Sequence, residues 1–422
     1  MKNVSLSLIF IPVAFCLIAC TNNQTGTAAL PANGVIVYDS SKTEAGLTLI
    51  DDDLYQSFLV DMSGNLVKRF PVGLANILPN GNIIGRLDSY LLKIDSNMNI
   101  IWKRDVNLNI HHAITTDSTG CIYLLSSDAH DFMGLKVRFD VINIFSPDGK
   151  LIYKWCVYDH LGEFVSIISK STWLKHLPIS YDLTKDVEEY VQQQTQAFIT
   201  PTIKHYPSNP HFNFEFTRFT SIEVLQENSV SKINPAFKKG NLLLSFNPYS
   251  CYGILDTHTD SIVWVGYLPE RSTLHSPTLT SDGTILVFQN STDSTDWTVE
   301  NEYDSLRTHF FKSNSYKALS KKPTARLWTS ITEYNPLSNS KIWEYTAKPK
   351  ESLQASNMGS AQRLSNGNTL VCITTKEQGG RVFELTPDKR IAWSYSFPEN
   401  TSKENCSINF FRAKRISSKM TY

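Results

Sequence analysis

The chain has 422 residues, with 40 basic and 40 acidic side chains and a formal net charge of zero. That balance gives no electrostatic case for a nucleic acid or an acidic surface as partner. About 390 residues follow the N-terminal segment, ample for a large core, and no second apolar run is long enough to span a bilayer.

The first segment reads as an export signal. Lys2 supplies a positive charge, Leu6 to Ile18 is almost wholly apolar, and the run stops at Ala19-Cys20. Such a run is too short to cross a membrane as a helix. Small and apolar residues followed directly by a cysteine form a bacterial lipoprotein cleavage site. Residues 1–19 are therefore expected to be a signal peptide, Cys20 the lipidated residue, and residues 20–33 a polar, flexible tether. Thr21 is not an acidic retention signal. The expected location is the cell envelope of a Gram-negative-type bacterium, with the lipid in the outer membrane.

Beyond the tether an internal repeat sets the fold. Its first half is a hairpin turning on glycine: Asn80-Gly81, Thr119-Gly120, Asp282-Gly283 and Asn366-Gly367 each separate two apolar strands. Such pairs favour the left-handed turns that join antiparallel strands. The second half is a hairpin ending on an aromatic residue, at Trp102, Trp155, Trp264, Trp343 and Trp393. Two hairpins make a four-stranded sheet that cannot bury both faces alone, so copies must stack. Radial stacking predicts a β-propeller. Five complete units fall at about 75–106, 111–158, 220–268, 275–347 and 359–398. The remnants at Gly34–Phe70 and Ile408–Arg415 predict a sixth blade closed by strands from both ends of the chain. The expectation is one all-β domain over 34–416, a single six-bladed propeller of antiparallel blades. Insertions at about 159–219 and 292–325 break the period. The first contains a helical pattern over Asp186–Phe198. Both are expected to shape a binding mouth.

The remaining cysteines are scattered, with no metal spacing, and most read as small core residues. Asp51-Asp52-Asp53 alternates in direction on an extended chain and reads as a solvated turn. No phosphate loop, nucleophile elbow or His-Glu-x-x-His pair occurs, so no metal and no cofactor is expected. The repeat does single out two histidines. His112 lies eight residues before Gly120, and His275 eight before Gly283. Both enter the innermost strand of a blade, which lines the central channel. At that phase the other units carry Gly73 and Gly359, so the pair is built asymmetrically.

The units resemble the arylsulfotransferase-like family of six-bladed propellers. The likeness rests on Gly359 to Leu370, Gly380 to Asp388, Ser221 to Leu225, Phe237 to Ser245 and Phe411 to Arg415. It implies transfer of a sulfuryl group from a phenolic sulfate to a phenol, without cofactor, through a sulfohistidine. Carried over by position, it makes His275 the nucleophile and His112 the second catalytic imidazole. His111, Arg218, Asn247 and Asn290 fall on substrate-binding positions. The chain departs from the family pattern at Ser276 and Ala113, where acids stand in the family, and at Arg218-Phe219-Thr220, where the family has a histidine. The alternative expectation is therefore a propeller without turnover that binds a ligand, glycan or protein partner.

Overall fold

The computed structural model describes residues 34–52, 56–132, 135–170, 214–293, 328–355, 358–375, 379–397 and 409–416. The export segment 1–33, the helical pattern over Asp186–Phe198 and most of the 292–325 insertion lie outside these residues.

Six sheets are present, each with a core of four antiparallel strands; in five of them those four strands are consecutive in the chain, and the short strand Phe214–Glu215 adds a parallel pair to the second blade. In the fourth blade, for example, Arg271–Leu279 is innermost, followed outward by Ile285–Asp293, Trp328–Tyr334 and Lys341–Thr346. The protein is a six-bladed β-propeller. Each inner hairpin turns as the sequence dictates. Gly81, Gly120, Gly283 and Gly367 adopt φ of 80°, 85°, 79° and 85°. Their amides close the same turn, onto the carbonyls of Leu78, Asp117, Thr280 and Leu364 at 2.9, 3.1, 3.0 and 3.1 Å. An L side chain rarely tolerates that region, which is why glycine recurs there.

In four of the five repeats the closing tryptophan clasps the next blade. The indole N–H of Trp102 donates to Pro147 O at 3.2 Å, Trp155 to Asp260 O at 3.1 Å, Trp343 to Pro387 O at 3.1 Å and Trp393 to Met62 O at 2.9 Å. Every acceptor is in the outer turn of the following blade. The apolar core lies between blades in the same way. Phe288 and Ile331 of the fourth blade pack with Val371, Ile373 and Phe383 of the fifth. Burying side chains of this size contributes about 1.5–3 kcal/mol each.

Closure follows the expected route with one change. Phe410–Ile416 from the C-terminal end becomes the innermost strand against Leu47–Asp52, Ser57–Val60 and Leu66–Phe70. The short strand Val35–Tyr38 does not join that blade. It pairs with Ile391–Ser396 as a fifth strand on the fifth blade, so the N-terminal segment bridges two blades.

The acidic run also differs from its reading as a solvated turn. Asp51 and Asp52 belong to a strand, and Asp51 is 2% exposed. Its carboxylate accepts from Arg412 and Ser57 and from the Ala75 amide at 3.1 Å. The deciding partner lies near the far end of the chain, where local pattern gives no hint of it. Cys156, Cys251 and Cys372 are buried and Cys121 half-buried, all as free thiols. Of the 159–219 insertion, helix Leu161–Ser169 is described, and it packs Phe164 and Ile167 against Trp155, Phe219 and Phe246. Among the described residues no helix is long and apolar enough to cross a membrane.

Candidate functional site in the central channel

The innermost strands do not run straight past the channel. Where His111 and His112 sit, the register jumps from Ile110 opposite Ser126 to Ile114 opposite Leu124. In the fourth blade it jumps from His275 opposite Phe288 to Thr278 opposite Leu286. The first and third blades slip at the matching place, between Gly73 and Asn76 and between Phe219 and Ile222. Such bulges re-aim side chains. His112 (φ 54°) and Ser276 (φ 47°) hold left-handed backbone at these points. A β-carbon there costs energy, of order 1–3 kcal/mol, so surrounding contacts must hold it.

The bulges bring the two predicted histidines together. The rings of His112 and His275 have centroids 6.2 Å apart, and Phe411 flanks His112 at 5.8 Å. Both rings line a cavity of about 650 Å³ that also takes in Thr220, Ser276 and Arg412. That volume suits a small aromatic ligand.

His275 is 4% exposed. Its Nδ1 is hydrogen-bonded to Asn290 Oδ1, while Asn290 Nδ2 donates to Met358 O at 3.0 Å. The Met358 carbonyl can only accept, so it fixes the amide with Oδ1 toward the imidazole. Nδ1 must then carry the ring proton. The lone pair is left on Nε2, which is buried without a hydrogen-bond partner among the described residues. Burial pushes the pKa down to about 3; the Asn290 bond opposes this and the nearby Arg218 charge adds to it. The imidazole is therefore a neutral base at ordinary pH.

His112 is backed by a second relay. His111 Nε2 lies 3.0 Å from Ser126 O and 3.1 Å from an Asp140 carboxylate oxygen, and His111 Nδ1 lies 2.9 Å from His112 Nδ1. A carbonyl only accepts, so His111 Nε2 carries a proton. With His111 neutral, His112 Nδ1–H donates to it and His112 keeps its lone pair on Nε2. Burial holds the His112 pKa well below the usual histidine range; coupling to the neighbouring His111 and His275 rings and the Arg218 and Arg138 cations push the same way.

The four residues carried over as substrate-binding divide. Arg218 acts electrostatically on both imidazoles, and its Nε is buried without a partner among the described residues. His111 and Asn290 stand behind the two histidines as described. Asn247 turns away: its amide donates to Leu274 O at 2.7 Å, alongside Thr220 Oγ1 at 2.9 Å. It anchors the residue before His275.

Sequence reasoning missed several ionisable groups, among them Arg412 and three others. Asp140 interrupts the apolar alternation of Val137-Arg-Phe-Asp-Val-Ile and is 0% exposed. A buried acid in such a strand was the available signal. Glu223 and Lys414 also line the cavity, in segments that resemble the family. Burial raises Glu223 to about 7, against an amide bond from Leu279 at 3.0 Å and the Lys414 charge. Lys414 is pushed down by its enclosure, although solvent reaches it along the bore.

Among solved structures the chain is similar to a protein of unknown function from Bacteroides caccae, at 10% identity and a TM-score of 0.44, covering 88% of this chain and 98% of that one. It is also similar to hydrazine synthase from Kuenenia stuttgartiensis, at 9% identity and a TM-score of 0.43, covering 87% and 81%. No curated protein sequence matches it. The family model described as Arylsulfotransferase (ASST) matches residues 75–398. That span takes in five blades and both channel histidines, and the chain belongs to the arylsulfotransferase (ASST) family.

Proposed function

We propose that the protein moves a sulfuryl group from a phenolic sulfate to a phenol by way of a sulfohistidine on His275. The observation that carries this reading is the Nε2 atom of His275: a neutral lone pair, without a partner among the described residues, on a cavity wall beside a second imidazole. In the first half-reaction that lone pair attacks sulfur. The bond from sulfur to the aryl oxygen breaks, and the electron pair leaves on the phenolate, which takes a proton from bulk solvent. In the second, His112 Nε2 removes the acceptor's phenolic proton, the oxygen attacks sulfur, and the S–N bond returns its pair to His275. His112 then releases its proton to solvent. Imidazole suits both roles. The Arg218 cation offsets charge on the group in transit. No nucleotide donor is needed, which fits the envelope location proposed from the export signal. There the lipid on Cys20 would hold the propeller at the outer membrane.

A chromogenic aryl sulfate with a phenol acceptor tests the chemistry. Wild type is expected to turn over, and quenched protein to carry one extra SO₃ on the peptide containing His275. His275→Asn is expected to lose both. Wild type that stays inert across many donors, yet binds them, would replace this reading with the binding propeller. Labelling cells with a radioactive fatty acid tests the anchor: Cys20→Ala should lose the label.

A further inference from the structure

Away from the channel, three side chains unused by the proposed transfer converge on one face of the second blade. Asp128 and His130 lie on strand Ile122–Phe132, and Cys156 ends strand Leu151–Cys156. Strand Leu135–Phe145 separates them. Asp128 pairs with Phe139 and His130 with Val137, while Val141 pairs on its two sides with Ser126 and Cys156. Residues 126, 128 and 130 share a face by alternation. Cys156, in line with Ser126 across the sheet, shares it too.

One ligand atom from each of Asp128, His130 and Cys156 lies within 4.8 Å of the other two. The His130 ring is locked in place. It stacks on Tyr158 with centroids 4.0 Å apart and planes at 8°, and meets the edge of Phe139 at 5.7 Å. Its Nε2 is buried with no hydrogen-bond partner among the described residues. An unpaired buried polar atom costs about 1–3 kcal/mol, so a fixed ring that carries such an atom and has one nitrogen beside a thiol and a carboxylate calls for a ligand. Lys154 Nζ holds Asp128 Oδ2 at 2.7 Å, and among the described residues Asp128 Oδ1 has no such ion pair.

We propose that Asp128, His130 and Cys156 bind a divalent transition-metal cation of the zinc class. One oxygen, one nitrogen and one sulfur suit a borderline-soft ion, and three protein ligands leave a fourth position for solvent. Metal–ligand bonds of roughly 2.0–2.3 Å put donors of a tetrahedral site about 3.3–3.8 Å apart. All donor pairs already lie within 4.8 Å, so small side-chain rotations of Asp128 and Cys156, closing each gap by no more than about 1.5 Å, reach that spacing. Binding exchanges the Cys156 thiol proton for the cation and releases one proton per ion. The bound ion cross-links the first strand of the long hairpin to the outer strand of the blade. The middle strand between them carries Asp140, on the opposite face and behind His111, so the ion stiffens the support of the channel relay without touching it.

Cobalt(II) reports thiolate ligation directly. Full-length protein, stripped with a chelator and dialysed, is titrated with Co²⁺. The expected result is a sulfur-to-cobalt charge-transfer band that saturates at one ion per chain and is displaced by Zn²⁺. Cys156→Ser should abolish the band, His130→Ala should weaken binding by more than the roughly 10- to 100-fold that loss of an outer-shell partner costs, and Cys251→Ser should leave it intact. Absence of a band in wild type overturns the proposal, as does a band that persists in Cys156→Ser. Should Cys156→Ser fail to fold, Asp128→Asn decides: unchanged Zn²⁺ competition in that variant counts against the site.

Discussion

The fourth and fifth blades start from the same repeat and end in opposite uses of it. Both inner hairpins close on a left-handed glycine, Gly283 and Gly367. The fourth then slips register after His275, while the fifth runs unbroken from Gly359 opposite Ile373 to Arg363 opposite Thr369. At the phase where one blade places an imidazole, the other has no side chain. The two positions are coupled: a β-carbon on Gly359 would meet the Phe288 ring at 2.2 Å, and Phe288 is the cross-strand partner of His275. The fifth blade gives up a side chain so that the fourth can seat its histidine. Repetition supplies the frame, and the departures from it supply the site.

The strongest way to break this comparison is to dismantle the fourth blade's advantage while keeping its histidine. Asn290→Ala removes the acceptor from His275 Nδ1 and frees the ring to turn. Turnover with an aryl sulfate is expected to fall about 10²-fold, the scale of a small misplacement of a reacting group, with the urea midpoint changed far less. Full activity in that variant would mean that Asn290 does not orient the nucleophile.

The same burial makes a pH prediction. His275 has a folded pKa of about 3, below the histidine value of 6.5 in an unfolded chain. As pH falls below 6.5 the unfolded chain takes up a proton that the folded one refuses. Stability is therefore lost by about 1.4 kcal/mol per pH unit until pH approaches the folded value. Denaturant titrations between pH 6 and 4 should show a shallower loss in His275→Gln than in wild type. For the same reason His275 should add no acid limb to kcat/KM with a midpoint near 6.5; because Glu223 on the same cavity wall is raised to about 7, a limb centred there that persists in Glu223→Gln would mean the nucleophile is not the buried neutral ring.

Gly359→Ala attacks the comparison from the fifth blade. The added methyl collides with Phe288 and holds a positive φ of 152°, for an expected cost of roughly 2–4 kcal/mol. Gly240→Ala is the control. Its φ of 91° is as awkward, but nothing lies within 4 Å of the new atom, so about 1 kcal/mol is expected. Equal losses in urea titrations would show that backbone strain, not the seat of Phe288, sets the need for glycine.

Local chemistry in the repeat made most of this legible. The turn glycines, the terminal tryptophans and the phase of His112 and His275 are all periodic, and periodicity survives without knowledge of tertiary contacts. What the sequence hid depends on partners far apart in the chain. Asp51 reads as solvated until Arg412 arrives from the last strand. The strand Val35–Tyr38 looks like part of its neighbour in sequence, yet the free edge of the fifth blade lies closer in space. Asn247 sits where the resemblance implied a substrate contact, but the Leu274 carbonyl claims its amide. Asp128, His130 and Cys156 follow no ligand spacing, because a sheet rather than a motif brings them together.

The outer rim offers the smallest and sharpest test, since there the two blades agree in device and differ in burial. Trp343 of the fourth blade and Trp393 of the fifth each donate an indole N–H to the next blade's turn. Trp393 is 0% exposed and stacked on Tyr395 at 6.0 Å, whereas the Trp343 bond is exposed. Replacing each by Phe keeps most of the apolar surface and removes the donor. Where water can take the donor's place at the carbonyl, the net loss is about 0.5–1 kcal/mol; where it cannot, the stranded group raises it to about 1–3 kcal/mol. Trp393→Phe is therefore expected to lower the urea midpoint more than Trp343→Phe. A larger loss at Trp343 would place the weight of the clasp on the fourth–fifth junction, behind the blade that carries His275, instead of on the junction that closes the ring.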